Sequence, residues 1–194
     1  MFQKLSRVLL KWWGWKSSGY DTTGLNKVIY AVAPHTSWKD FILGILVRSE
    51  RGIHSNFIGK DSLFRPPFGF IFYRLGGHPV DRSQHHNLVQ VIIDLFNKNE
   101  KFALAVAPEG TRHRVDKFKT GFYYIARGAG VPIVMVQIDA IRREMHFSEP
   151  FWPGDDAEKD LATLFQHFKG IQGFVPEKSI LGVLNPNAGS GQYF

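Results

Sequence analysis

Residues 27–47 read KVIYAVA, then PHTSWKD, then FILGILV: an apolar run, a polar seam and a second apolar run. A short run dominated by Val, Ile, Tyr and Ala has the length and composition of a strand buried on both faces. The seam places Ser37 and Asp40 in the Ser-x-x-acid spacing that opens a helix. A helix is therefore expected from Ser37 to about Arg48. A buried strand that passes through a polar turn into a helix is the repeating unit of an α/β fold.

The same unit recurs outward from this stretch. IHSNFIG (53–59), GGHPVD (76–81), KFALAVA (101–107) and VPIVMVQID (131–139) read as further strands. Residues 85–98 and 155–168 have helical period, and KTGFYYIARGAG (119–130) is a helix closed by glycine. Asp61 to Leu75 is expected as short helices, because Pro66-Pro67 blocks a continuous one. REMHFSEPF (143–151) reads as an edge strand, and SSGYDTTGLNK (17–27) as a loop. The expectation is one α/β domain over 1–194, with a largely parallel central sheet flanked by helices and an N-terminal amphipathic helix. Its parts are an N-terminal segment (1–19), a core (27–170) and a loosely held tail (183–194).

Composition narrows the chemistry. The chain has no cysteine, which excludes disulfides, thiolate nucleophiles and Cys-based zinc sites. A net charge of +7 favours anionic partners, and 17 Phe with five Trp add an apolar preference. Nucleic acid is not expected as a partner, because no basic aromatic sheet motif or recognition helix accompanies the charge. No apolar run reaches the roughly 18–20 residues of a bilayer span. Leu5 to Leu10 is too short and too interrupted for a signal-peptide core. A cytoplasmic chain, peripheral on the inner face of the cell membrane, is expected.

MFQKLSRVLLKWWGWK (1–16) supplies the means of attachment. On a helical wheel Lys4, Arg7 and Lys11 share one face. Phe2, Leu5, Val8, Leu9, Trp12, Trp13 and Trp15 fill the opposite half, and no acidic residue precedes Asp21. Such a helix lies in a membrane interface on anionic lipid, or packs on the domain with a cationic outer face.

Three seams follow strands: His35-Thr36-Ser37-Trp38-Lys39-Asp40, Gly76-Gly77-His78-Pro79-Val80-Asp81-Arg82-Ser83, and Pro108-Glu109-Gly110-Thr111-Arg112. In α/β sheets ligands collect beyond the carboxyl ends of strands, so the seams can converge on one site. If His35 precedes the helix and Asp40 lies in its first turn, the carboxylate can reach back to orient the imidazole. A capping role for the same carboxylate remains open. In the third seam Gly110 permits close backbone approach, Thr111 offers a hydroxyl and Arg112 a planar fork for phosphate. Glu109 can hold the loop or an arginine.

Taken in order with Val131-Pro132-Ile133, these blocks resemble the glycerolipid acyltransferase family from about residue 28 to 140. Its best-known members acylate lysophosphatidate. Departures are Pro34 where the family often has Asn, Ala107 where it often has Phe, and Met135 where it often has Pro. The resemblance implies His35 as general base and Asp40 as its orienter. It implies Arg82, Glu109, Gly110, Thr111 and Arg112 as the binding site for a phosphate-bearing lipid acceptor. The acyl donor is a thioester, acyl-CoA or acyl carrier protein, with no metal and no further cofactor. Oxyanion donors are expected among the N–H groups at the helix start. The first helix and Phe64 to Phe72 are candidates for an acyl channel. Other acceptors (glycerol-3-phosphate, a lyso-aminolipid) and a non-catalytic peripheral lipid-binding role are the alternatives.

Overall fold

KVIYAVA is the central strand of the molecule. In the computed structural model, which describes residues 2–80 and 85–179, it forms β2 (Lys27–Ala33). β2 pairs in parallel with β5 (Phe102–Val106) on one side and β6 (Ile133–Asp139) on the other. β3 (Asn56–Lys60) and β4 (Gly77–Val80) extend the parallel array beyond β5. On the other flank β7 (Glu144–Phe147) runs antiparallel to β6, and β1 (Lys16–Gly19) pairs in parallel with β7. The seven-stranded order is β1-β7-β6-β2-β5-β3-β4.

Alternate residues of β2 serve opposite cores. Ile29, Ala31 and Ala33 pack with the helices α4 (His85–Lys98), α5 (Gly121–Ala129) and α6 (Ala157–Gln166). Val28 and Tyr30 pack with α1 (Phe2–Trp13) and α2 (Lys39–Arg51) on the other face. The short α3 (Gly69–Arg74) follows a 3₁₀ turn at Asp61–Phe64, so the double proline does split this segment.

Two sequence expectations are corrected. The 143–151 segment is a strand, but not the edge: Lys16–Gly19, assigned by sequence to the end of the N-terminal helical segment (1–19) and the start of the loop (17–27), covers it, and α1 ends at Trp13. KSSG has little intrinsic strand preference, so the pairing is decided by the open edge of β7. Gly19 ends this strand at φ +85°, where a Cβ would lie 2.0 Å from the Phe147 carbonyl oxygen. The second correction concerns the tryptophans. Trp13 and Trp15 turn onto Phe174, with ring centroids 5.8 and 5.0 Å from it, and Trp15 is 5% exposed. They fill a core; Phe2, Leu5, Val8, Leu9 and Trp12 remain in solvent, Trp12 at 87%. The tail from residue 180 onward lies outside the described residues.

Candidate active site

The first and third seams meet at the carboxyl ends of β2 and β5. β2 delivers His35 and α2 opens at Lys39, so Asp40 sits in the first helical turn. The Asp40 carboxylate is 3% exposed and turns back over the loop. Its Oδ2 accepts from the N–H groups of Thr36 and Ser37, both at 2.7 Å, and lies 3.2 Å from Nδ1 of His35. Capping and orienting are thus done by one oxygen. Ser37 Oγ takes no part in closing a reciprocal box; it accepts from Lys39 N–H at 3.3 Å. Of the N–H groups at the helix start expected to include oxyanion donors, those of Thr36 and Ser37 are committed to Asp40.

His35 is held from three sides. Arg112 Nε donates to its Nε2 at 3.2 Å. A donor there leaves Nε2 as an acceptor, so the ring proton resides on Nδ1, facing Asp40. The main-chain N–H of His35 donates to Glu109 Oε2 at 2.6 Å. Glu109, expected with the headgroup residues, is 3% exposed and sits behind the histidine. Thr36, which the sequence reading passed over, accepts from Val175 N–H through Oγ1. This pins the loop from a segment far away in sequence.

Gly110 supplies the turn after β5. Its φ is +66°, a left-handed conformation open to glycine, and its N–H closes on Ala107 O at 2.9 Å. The turn sends Thr111 and Arg112 to the mouth of a cavity of about 830 Å³ between α2 and the sheet. Phe41, Ile45, Phe57, Phe72 and Val136 line its interior; His35, Asp40, Thr111 and Arg112 line its polar end. Of the expected channel, the 64–72 segment contributes Ile71 and Phe72, whereas α2 takes the place given to the first helix. Lys119, which no motif singled out, stands beside Gly110 on the same wall. Arg82 lies outside the described residues. Among the described residues no group of three His, Asp or Glu could hold a metal ion.

The family description Acyltransferase matches residues 19–139, more than half of the chain. The chain belongs to the acyltransferase family. Over 86 residues this acyltransferase-family chain is 35% identical to the 1-acyl-sn-glycerol-3-phosphate acyltransferase of Salmonella typhimurium. That match covers 41% of the chain and 35% of the relative. The Escherichia coli protein of the same name is 31% identical over 98 residues, covering 47% of the chain and 40% of the relative. The matches therefore span two fifths or less of the length of these curated relatives. The crystal structure of PlsC, the 1-acyl-sn-glycerophosphate (LPA) acyltransferase from Thermotoga maritima, shares the fold with a TM-score of 0.54. It is 21% identical, over 82% of this chain and 72% of that one.

The electrostatics of this acyltransferase site yield a test. Burial pushes the Glu109 carboxyl up to about 8; the His35 N–H opposes this and the negative charge of Asp40 adds to it. The protonated form is thus favoured by folding. Its contribution to stability is full below the ordinary carboxyl value and is lost as pH rises toward about 8. Glu109→Gln keeps an oxygen for the His35 N–H and removes the titration. The stability of wild type relative to this variant is expected to fall from pH 5 to pH 8, then level off. Denaturant unfolding of both proteins across that range measures it; parallel curves would mean that Glu109 is not buried as a neutral acid.

Proposed function

We propose that the protein transfers a fatty acyl group from a thioester donor, acyl-CoA or acyl carrier protein, to the hydroxyl of a lysophospholipid such as 1-acylglycerol-3-phosphate. The observation that carries the reading is the Asp40–His35–Arg112 line at the polar end of an apolar cavity. His35 Nε2 takes the proton of the acceptor hydroxyl, and Asp40 stabilises the imidazolium that results. The alkoxide oxygen attacks the thioester carbonyl. The tetrahedral oxyanion collapses, the C–S bond breaks, and the thiolate leaves with the proton from His35. An ester forms with no acyl-enzyme. No metal is assigned a part in this sequence. The cavity takes the acyl chain, apolar wall against apolar chain.

Arg112 has two positions to occupy in this scheme. Without acceptor it covers the lone pair of the base. An acceptor phosphate draws the guanidinium off Nε2 and into a charge-assisted pair, so the base is uncovered by the substrate it serves. Arg82 is proposed to act on the same phosphate. The direct experiment is to incubate the full chain with long-chain acyl-CoA and a panel of lyso-lipids and to read products by mass. No acylated product from any acceptor would overturn the reading. Arg112→Ala is expected to raise the KM of the phosphate-bearing acceptor about 10–100-fold, the loss of one charged contact of roughly 1.5–3 kcal/mol. The KM of an uncharged monoacylglycerol should stay within twofold. Equal losses on both acceptors would remove Arg112 from the headgroup site.

We further propose that α1 lies on anionic lipid at the inner face of the cell membrane. Its support is the exposed row Phe2, Leu5, Val8, Leu9 and Trp12 beside exposed Lys4, Arg7 and Lys11. Among the described residues no helix is long and apolar enough to cross a membrane. Deleting the segment would also remove Leu10 and Trp15 from the core, so point changes give the cleaner test. Leu5→Gln with Trp12→Gln is expected to lower vesicle affinity tenfold or more, at roughly 1.5–3 kcal/mol for each large side chain withdrawn from lipid. Co-sedimentation with phosphatidylglycerol vesicles reads the change. Undiminished sedimentation would return the row to solvent.

A further inference from the structure

A second cavity lies where the strands begin; Tyr30, Arg48, Ile53, Ser55 and Leu75 line both it and the larger cavity, so the two adjoin at Arg48. It measures about 360 Å³ and is bounded by the starts of β3 and β5 and the end of α2. Arg48, His54, Arg74 and Lys101 line it, and no Asp or Glu does. Among the described residues none of these four side chains forms an ion pair. Three cationic side chains and a histidine thus line the pocket with no carboxylate among the lining residues.

Arg48 sets the geometry. Its Nη1 donates to the main-chain oxygens of Ser55 and Leu75 at 2.7 and 2.8 Å, tying two walls of the pocket to one guanidinium. Both partners are neutral carbonyls. Burial accordingly disfavours the charge and lowers the Arg48 pKa from its ordinary value. A half-buried cation without a counter-charge is stabilised by an anion that enters beside it. The exposed Arg74 and Lys101 can close on that anion from the rim, and Asn26 adds a polar contact; Thr23 is already committed to Asp21 through its N–H and its hydroxyl. Several tetrahedrally arranged acceptors with more than one charge match this set better than a carboxylate does. The pocket also adjoins α1. Gly52 lines it, and a Cβ on Gly52 would lie 2.8 Å from the side-chain amide of Gln3. A phosphate could arrive as a lipid headgroup from the surface beneath α1 or as a free phosphorylated metabolite.

We propose that this amino-edge pocket binds a phosphate or diphosphate group, at a site distinct from the His35 end of the larger cavity. The probe is pyrophosphate, titrated into the ¹⁵N-labelled full chain. Saturable shifts are expected at the amides of Thr22–Asn26 and Gly52–Asn56. Arg74→Ala with Lys101→Ala, two exposed positions, should weaken that binding tenfold or more. The same shifts should persist in His35→Ala, which separates this site from the acyl-transfer reading. A second arm compares the double variant with wild type on phosphatidylglycerol and phosphatidylcholine vesicles. A loss of several-fold on the anionic vesicles alone assigns the source to headgroups; equal vesicle affinity with lost pyrophosphate binding assigns it to free phosphate compounds. Amides that do not move, or that move with unchanged affinity in the double variant, overturn the proposal.

Discussion

His35→Ala is expected to lower the rate of acyl transfer by about 10²–10⁴-fold, the usual worth of a positioned general base. The loss should fall on kcat, because the imidazole acts on the proton in flight and not on the lipid chain. Stability should change little. The side chain belongs to neither apolar core, and its main-chain N–H, which donates to Glu109, survives the substitution. Two measurements on one sample decide the matter: steady-state kinetics and a denaturant midpoint. A fully active His35→Ala protein would end the mechanism. An inactive one with a native midpoint would place the effect in the chemistry.

Asp40→Ala is expected to fail in both respects. Activity should fall on the order of that of His35→Ala, since the imidazole loses the group that sets its tautomer. Unlike the histidine change, this one should also destabilise the fold by about 2–5 kcal/mol. Removing Oδ2 leaves the Thr36 and Ser37 N–H groups without their acceptor, and each such buried group costs roughly 1–3 kcal/mol. Asp40→Asn separates the two functions. An amide oxygen can still accept from the loop, so stability should recover most of the difference while activity stays low. If Asp40→Asn were fully active, the carboxylate would be a loop brace and nothing more. If Asp40→Ala were as stable as wild type, the bracing described here would be energetically empty.

The two variants are expected to differ because one buried oxygen serves the loop backbone and the proposed base together. That arrangement has a clear physical use. The loop that carries His35 is held by Asp40 through Thr36 and Ser37, by Glu109 through His35 N–H, and by Val175 through Thr36 Oγ1. A histidine fixed at this many points, acting as the proposed base, would lose little freedom when substrate arrives. Arg112 is the exposed member, and it contacts His35 through a single Nε donor.

Much of this was legible in the chain. Apolar runs such as KVIYAVA and VPIVMVQID, broken by polar turns, determine an α/β sheet, because strands covered on both faces need near-continuous apolar sequence. The His35–Asp40 spacing was readable because a turn of helix returns the carboxylate to the loop before it, a local matter of a few residues. The tertiary structure decided what local sequence does not encode. Lys16–Gly19 is a strand because β7 presented an open edge. Trp13 and Trp15 are core residues because Phe174 arrives from the far end of the chain. Glu109 braces the histidine from behind because β2 and β5 are neighbours in the sheet, which buries its carboxyl and pushes it up to about 8. Each depends on a contact between residues more than 70 positions apart, and periodicity and spacing carry information only over a few turns of chain.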